Sequence, residues 1–150
     1  MTDLSKGIIE LEGIVLSRNT KASDFVELSN PNIKVTISKR GHTYVKFLKP
    51  LTANGVEMYV EVNCYKDSDT PEIVLFPNIP TELVGKFDEI AKYKIEASKK
   101  WLKSMVEATP TTDCEIGTSY HLIDVHITSF IREDPHYGLL GGETVVKFGE

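Results

Sequence analysis

The chain has 150 residues, of which 41% are hydrophobic and 26% charged, and its 22 acidic and 17 basic residues give a net charge of -5. This length fits a single domain, residues 1–150, that buries roughly 70% of the surface its unfolded form would expose. The acidic balance disfavours binding to nucleic acid or to an anionic membrane surface. No apolar run approaches the ~18 residues that a membrane span requires.

The start of the chain and its cysteines predict a cytoplasmic protein. Asp3 lies where a secretory signal carries basic residues, and Glu10 and Glu12 interrupt the apolar run that follows. Cys64 and Cys114 are isolated and form no CxxC pair. We therefore expect two free thiols in a reducing compartment.

The first half of the chain is predicted to be mostly sheet. In the clearest segment, Val56–Cys64, apolar residues alternate with polar ones, which is typical of a half-buried antiparallel strand. The turn pair Asn54-Gly55 precedes it. The last three predicted strands form a meander. The five strands predicted here are Ile8–Leu16, Ile33–Ile37, His42–Leu48, Val56–Cys64 and Ile73–Phe76.

A long helix is predicted from Thr81 to Glu107. Gly85 weakens its first turns by about 1 kcal/mol relative to alanine, so we expect the firm part to begin after it. Trp101 is one step off the apolar stripe and is predicted to cover the edge of the helix–sheet seam. The stripe, which recurs at steps of three and four residues, is Val84, Phe87, Ala91, Ile95, Ser98, Leu102 and Met105.

Beyond Pro110, alternating residues from Ile123 to Ile131 predict a long strand, and a last strand is expected over Thr144–Phe148. Five strands, one helix and two strands make an α+β domain. We therefore predict a mostly antiparallel sheet of about six or seven strands, with one long helix packed across a face.

The glycines between the last two strands could belong to a phosphate-binding loop or to a turn. Gly138, Gly141 and Gly142 fit neither GxGxxG nor GxxxxGK[ST], and a strand rather than a helix follows them. A hairpin connection with positive φ at Gly141 or Gly142 explains them without a ligand. The sequence therefore predicts a turn and no cofactor.

Glu133, Asp134 and His136 could supply the oxygen and nitrogen atoms that divalent metals bind. Because such residues are also common in polar loops, we expect a solvated turn and no metal. This leaves the three side chains available for contact with a partner.

Asp124, His126 and Thr128 share one face of the predicted long strand, because side chains alternate along a strand. They could form a general base oriented by a carboxylate, or simply a polar face of the sheet, and we expect the polar face. His121 is an odd number of residues before His126, so in a regular strand their side chains would point to opposite faces of the sheet. A regular strand would therefore keep these two imidazoles from converging on one metal ion.

The segment His126 to Thr128 resembles the HxT element of two-histidine phosphoesterases. The other candidate, His42-Thr43, lacks the residue between the two. This resemblance supports one alternative function, a phosphodiesterase-like hydrolase that uses His126 and Thr128. Catalysis by a cysteine nucleophile is not expected, because neither Cys64 nor Cys114 has the sequence context of a catalytic thiol.

Two segments, "EASKKWLKSMVE" and "ITSFIREDPHYGLLGGETVVKFG", carry a family resemblance. A Trp-Leu pair near the helix end and an acidic, glycine-containing turn before a short strand are similar to features of small single-domain bacterial immunity-type proteins of toxin loci. The resemblance spans residues 56–150. It implies a non-enzymatic protein that blocks a partner, with a basic toxin domain as that partner.

The sequence thus favours a protein-binding module that acts as an immunity or inhibitor protein. Two alternatives stay open: the hydrolase, and a viral or structural assembly subunit that docks through exposed strand edges. The residues expected to contact the partner are Asp124, His126, Glu133, Asp134, His136 and Tyr137.

Overall fold

The structure is a computed structural model that describes residues 2–26 and 30–149; residues 1, 27–29 and 150 of the predicted domain lie outside the described residues. Over the described ranges the chain forms eleven strands and two α-helices. These are β1 (Ile9–Leu11), β2 (Ile14–Leu16), α1 (Ser23–Val26), β3 (Ile33–Ile37), β4 (Thr43–Phe47), β5 (Leu51–Ala53), β6 (Val56–Cys64), β7 (Glu72–Pro77), α2 (Phe87–Met105), β8 (Thr112–Cys114), β9 (Gly117–His121), β10 (Val125–Asp134) and β11 (Gly138–Phe148). The predicted α+β class with one long helix is confirmed.

In the described part of the chain, nine of the strands form one antiparallel sheet in the order β3-β4-β6-β7-β11-β10-β9-β8, with β5 also paired to β6. The predicted meander of β4, β6 and β7 is confirmed, whereas the predicted total of six or seven strands was too low. Strands β5 and β8 have three residues each, too few to show a period. In β9 the four residues from Gly117 to Tyr120 are all buried, so the alternation that marks a half-buried strand is absent.

The single strand predicted over Ile8–Leu16 is wrong. The chain turns at Glu12 and Gly13, which both have positive φ, and β1 and β2 pair as a two-stranded hairpin. Positive φ at both central residues is the mark of the tight turns that suit hairpins. The apolar run hid this turn, because residues on both sides of it are buried against the core.

The predicted helix from Thr81 to Glu107 is shorter than expected. A 3-10 turn, Thr81–Leu83, precedes Gly85, and α2 begins at Phe87, so the expectation of a firm helix only after Gly85 is confirmed. The stripe is buried at Ala91, Ile95, Ser98 and Leu102, but its first two members are not: Val84 is 71% exposed and Phe87 52%.

Trp101 was predicted at the edge of the seam, and this is wrong. The side chain is 3% exposed within the main core, and its Nε1–H donates a hydrogen bond to the carbonyl of Ala53 at 3.1 Å. An indole is buried readily when its single donor finds a partner. Trp101 therefore ties α2 to β5, a strand that the sequence did not reveal.

The main core lies on one face of the sheet, under α2 and the β1–β2 hairpin. The residues of β6 that point to it, Met58, Val60 and Val62, are fully buried, as the alternation predicted. Leu102 of α2 is likewise fully buried. Each large apolar side chain buried in this way stabilises the fold by roughly 1.5–3 kcal/mol.

Helix α2 lies very close to the sheet at Gly142 of β11. This residue has a φ of +88°, and a Cβ there would lie 2.6 Å from Lys94 Cβ and 3.1 Å from the carbonyl oxygen of Ala91. Ser98 Oγ donates to the carbonyl of Gly142 at 2.8 Å. Only glycine allows the helix and the strand to come this close.

The glycines were predicted to form the turn before a last strand at Thr144–Phe148. Their positive φ is confirmed, but Gly141 and Gly142 lie inside β11, which already begins at Gly138. The register of β10 and β11 shifts between Ser129 and Ile131, opposite these glycines. The positive φ of these glycines therefore accommodates an irregularity in the pairing of β10 and β11, and this irregularity allows α2 to pack close to the strand.

Replacing Gly142 by alanine should destabilise the protein by about 2–5 kcal/mol, because backbone strain adds to overpacking at the seam. Gly55→Ala is the matched control, since Gly55 also has positive φ but a Cβ there meets no atom within 4 Å. Urea denaturation of both variants checks this. Equal losses for the two variants would contradict the close approach of helix and sheet.

Salt bridges connect the edge strand β8 to α2. Asp113 lies 3.0 Å from Lys99 Nζ and 3.7 Å from Lys103 Nζ, and Lys99 Nζ also donates to the carbonyl of Cys114 at 2.7 Å. The hydrogen bond from Lys99, and then the positive charges of Lys99 and Lys103, lower the pKa of Asp113 from its ordinary value of 3.8. The ionised carboxylate thus favours the folded state.

This pKa shift predicts a pH-dependent effect of Asp113→Asn. Because the folded-state pKa is depressed, the stabilisation is present above the ordinary value of 3.8 and is lost as the pH falls through the lower folded-state value. Wild type should exceed the variant in urea midpoint at pH 7 by a small margin that shrinks as the pH falls below 3.8. Asp67→Asn, at an exposed carboxylate, is the control; a pH-independent difference for Asp113→Asn would refute the prediction.

Candidate functional site

The hairpin between β10 and β11 ends in a turn shaped by Asp134. Its Oδ1 accepts hydrogen bonds from the backbone N–H of His136 at 2.8 Å and of Tyr137 at 3.1 Å. A carboxylate that caps its own turn in this way fixes the backbone two and three residues on. Asp134 therefore positions His136 and Tyr137, while Glu133 beside it is exposed.

The start of α2 holds the returning strand of this hairpin. Asp88 Oδ1 accepts a hydrogen bond from the backbone N–H of Leu139 at 2.7 Å. Gly138 makes room for that contact, because it has positive φ and a Cβ there would collide with Asp88 Oδ1. We call the surface made by Phe87, His136 and Tyr137 the helix–hairpin corner.

Two aromatic rings project into solvent at the helix–hairpin corner. Phe87 is 52% exposed and Tyr137 59%, and their ring centroids lie 6.1 Å apart in an edge-on arrangement. The His136 ring is 6.4 Å from Tyr137 on the other side. Large exposed aromatic rings held in fixed positions are typical anchors of protein interfaces.

A groove of about 380 Å³ runs beside these rings, between α2 and the hairpin. Ile90, Leu139 and Leu140 contribute apolar surface to it. Lys94, also in the lining, pairs with Glu143 at 2.7 Å and lies over the Phe76 ring at 5.3 Å. Arg132 also lines the groove, which thus combines an apolar lining with a few charged groups, as small binding pockets do.

Asp124 and His126 lie at the other end of β10. From His126 to Asp134 the strand runs eight residues, a distance of about 26 Å. Asp124 precedes the strand, in the turn after β9, and its carbonyl accepts a hydrogen bond from Gly149 at 3.2 Å. The six predicted contact residues therefore fall into two groups, and Asp124 does not share a strand face with His126 and Thr128 as predicted.

The structure brings His121 and His126 together, although the sequence predicted that their side chains would point to opposite faces of the sheet. They are direct partners in the β9–β10 pair, and their rings are stacked with centroids 4.9 Å apart and planes 16° apart. The prediction was wrong because the chain reverses between them, at Leu122 to Asp124. Side chains that oppose each other across an antiparallel pair lie on the same face of the sheet.

The second histidine considered for phosphoester chemistry lies far from the first. His42 precedes β4, and β4 is four strand spacings from β10 in the sheet, about 19 Å. Its Nδ1 accepts a hydrogen bond from the backbone N–H of Lys66 at 3.0 Å. His42 therefore has a structural role. It does not lie beside His126 and Thr128, where a two-histidine phosphoesterase would need its second histidine.

Cys64 is a poor nucleophile in this fold. Burial, with a smaller contribution from the Asp24 carboxylate, raises the pKa of its thiol, so the protonated form predominates at neutral pH. Cys64 packs against the main core as a small, partly buried residue at the end of β6.

Comparisons of the chain with protein-family models, curated proteins and solved structures found no match. Within residues 2–26 and 30–149, no group of three or more His, Cys, Asp or Glu side chains is placed to hold a metal ion. No helix in those ranges is long and apolar enough to cross a membrane. We take the helix–hairpin corner as the candidate site, because it combines two exposed aromatic rings with an adjacent groove.

The sequence did not reveal Phe87 of the helix–hairpin corner, nor Asp88, which holds the hairpin beside it. Phe87 was assigned to the buried stripe, although its place directly after the Gly85 break was a signal that the helix starts there. Asp88 was not singled out, because its partner Leu139 lies 51 residues away in the chain. Only the fold shows that these residues border the predicted turn.

Asp88→Ala should loosen the returning strand of the hairpin while leaving the core intact. Removal of the acceptor leaves the Leu139 amide without its partner, at a cost of about 1 kcal/mol. Amide hydrogen exchange at Leu139 should accelerate several-fold, while exchange in β6 changes little. Glu89→Ala, which removes an exposed carboxylate one residue away, is the control; unchanged exchange at Leu139 in Asp88→Ala would contradict the bond.

Proposed function

We propose that this chain is a non-enzymatic protein-binding module, an immunity or inhibitor protein that blocks a partner protein by covering part of its surface. The observation that carries the proposal is the exposed aromatic pair Phe87–Tyr137 beside the apolar groove. The likeness of the helix and hairpin segments to immunity-type proteins supports the same conclusion.

The helix–hairpin corner has the features that concentrate binding energy. Interfaces depend on a few aromatic or arginine anchors in well-packed pockets, and the surrounding contacts mainly exclude water. Phe87 and Tyr137 supply two such rings, and the groove can receive an apolar side chain of the partner. A standard interface covers about 800 Å² on each partner, which is enough to include both rings, His136 and the groove.

Preorganisation favours this surface further. Asp134 fixes the backbone that carries His136 and Tyr137, and Asp88 fixes the hairpin against the helix that carries Phe87. Groups that are already held in place lose less conformational entropy when a partner binds. The corner would therefore bind largely as a rigid body.

Charge favours a basic partner. The chain has a net charge of -5, and the exposed Glu133 comes just before the turn that carries His136 and Tyr137, whereas Glu89 is paired with Lys86 at 3.8 Å. Negative charge around an apolar centre speeds the encounter with a positively charged surface and opposes acidic competitors. A basic toxin domain that is inhibited by steric blockade fits this combination.

The test is binding to a toxin encoded beside the gene for this chain, measured by calorimetry with wild type and variants. Phe87→Ala and Tyr137→Ala should each weaken binding by about 2 kcal/mol, or roughly 30-fold, as expected for central aromatic anchors. Ile37→Ala is the matched control, because Ile37 is a 69% exposed apolar residue on the distant edge strand β3.

Two results would overturn the proposal. If wild type forms no complex with that toxin at micromolar concentration, the inhibitor function for that partner is rejected. If Ile37→Ala weakens the complex as much as Tyr137→Ala, binding does not depend on the helix–hairpin corner. Circular dichroism of each variant checks that the fold is retained.

A further inference from the structure

The histidine pair at the far end of β10 occupies a special position in the sheet. The backbone N–H of Leu122 donates to the carbonyl of Val125 at 2.9 Å and closes the turn between β9 and β10. The next pair outward, His121 and His126, is therefore a non-hydrogen-bonded pair, in which the two chains and their side chains lie closest. The His121 N–H points away from β10 and donates to Thr111 Oγ1 at 3.0 Å.

The two imidazoles are close, nearly parallel and accessible. Their centroids are 4.9 Å apart, their planes differ by 16°, and both residues are exposed. Among the residues that the structure describes, no hydrogen bond or ion pair engages a ring nitrogen of either histidine. His42 differs, since its Nδ1 already accepts the Lys66 N–H.

We propose that His121 and His126 together bind one divalent transition-metal ion of the zinc, nickel and copper class, each through one ring nitrogen. Imidazole is a preferred ligand of these metals, whereas magnesium and calcium take oxygen ligands. Metal–nitrogen bonds of about 2.0–2.1 Å place two ligating nitrogens roughly 3 Å apart. The ring planes are nearly parallel in the stack, so both rings must turn before their in-plane lone pairs can meet on one ion. Both side chains are exposed and their backbones are adjacent, which leaves room for that rotation.

The surroundings of the pair permit a cation. The nearest basic residue across the sheet is Lys147, the partner of His126 on β11, and its ammonium extends the other way, 3.5 Å from Glu72 on β7. Asp124, in the turn that joins the two strands, lines a cavity together with Lys6 and Arg18, so its carboxylate has two cations as neighbours. Because the charge of Lys147 is paired with Glu72, the register partner of His126 adds no uncompensated positive charge beside the rings.

Two protein ligands define the kind of site. Closed structural metal centres use four protein ligands, so this pair leaves coordination positions for water or for a side chain of another molecule. The pair should thus bind its metal reversibly and more weakly than a structural zinc site. This inference is independent of the proposed inhibitor function, because it concerns the opposite end of β10.

Calorimetric titration of the full chain with Ni²⁺ tests the proposal. Wild type should bind one ion, and His121→Ala or His126→Ala should each weaken binding roughly tenfold or more, since a single imidazole loses the intramolecular second contact. The ring signals of His121 and His126 should shift together in NMR spectra as Zn²⁺ is added. Mg²⁺ should produce neither effect.

Controls separate the pair from other donors in the chain. His136→Ala removes an exposed histidine without a neighbouring imidazole, and Cys114→Ser removes the exposed thiol; neither should change the affinity. The proposal is overturned if His136→Ala or Cys114→Ser weakens binding as much as His126→Ala. It is also overturned if the double variant His121→Ala/His126→Ala binds Ni²⁺ as tightly as wild type.

Discussion

Helix α2 rests on β11 at Gly142, and much of the architecture depends on this contact. The carbonyl of Gly142 accepts hydrogen bonds from Ser98 Oγ at 2.8 Å and Ser129 Oγ at 3.3 Å, so helix, strand and neighbouring strand meet at one backbone group. Because β11 lies between β7 and β10, the position of the helix is fixed relative to the centre of the sheet. The helix has 19 residues and is about 28 Å long, and it contacts β7, β9, β10 and β11.

The two ends of α2 serve different purposes. At the C-terminal end, Trp101 and Leu102 close the core over β5 and β6. At the N-terminal end, Asp88 holds the start of β11 and Phe87 is exposed beside Tyr137. The contact at Gly142 therefore links core packing to the geometry of the exposed surface.

The sequence revealed the elements whose side chains face two different environments. Strand β6 was predicted with both of its ends because one face is buried and the other is half-buried. Strand β9 is buried on both faces from Gly117 to Tyr120, which removes the period of two. The β1–β2 hairpin was missed for a related reason: its turn interrupts a run that is apolar on both sides.

The candidate sites were predictable only in part, because they are formed by contacts that are distant in the chain. His136 and Tyr137 could be identified in their turn, but their neighbours Phe87 and Asp88 come from a helix some fifty residues earlier. The relation of His121 to His126 depended on one local detail, a chain reversal within the segment taken for a continuous strand. When the chain reverses between two such residues, they become partners on adjacent strands and their side chains lie on the same face. A small error in the predicted local structure therefore changed what the two histidines can do together.

Strand β10 keeps the helix–hairpin corner and the histidine pair about 26 Å apart. Residues that far apart, with no shared partners, contribute to stability almost additively. Substitutions at one end can therefore accumulate without readjusting the other. The side chains of the helix–hairpin corner are therefore free to change over evolutionary time while the histidine pair is retained.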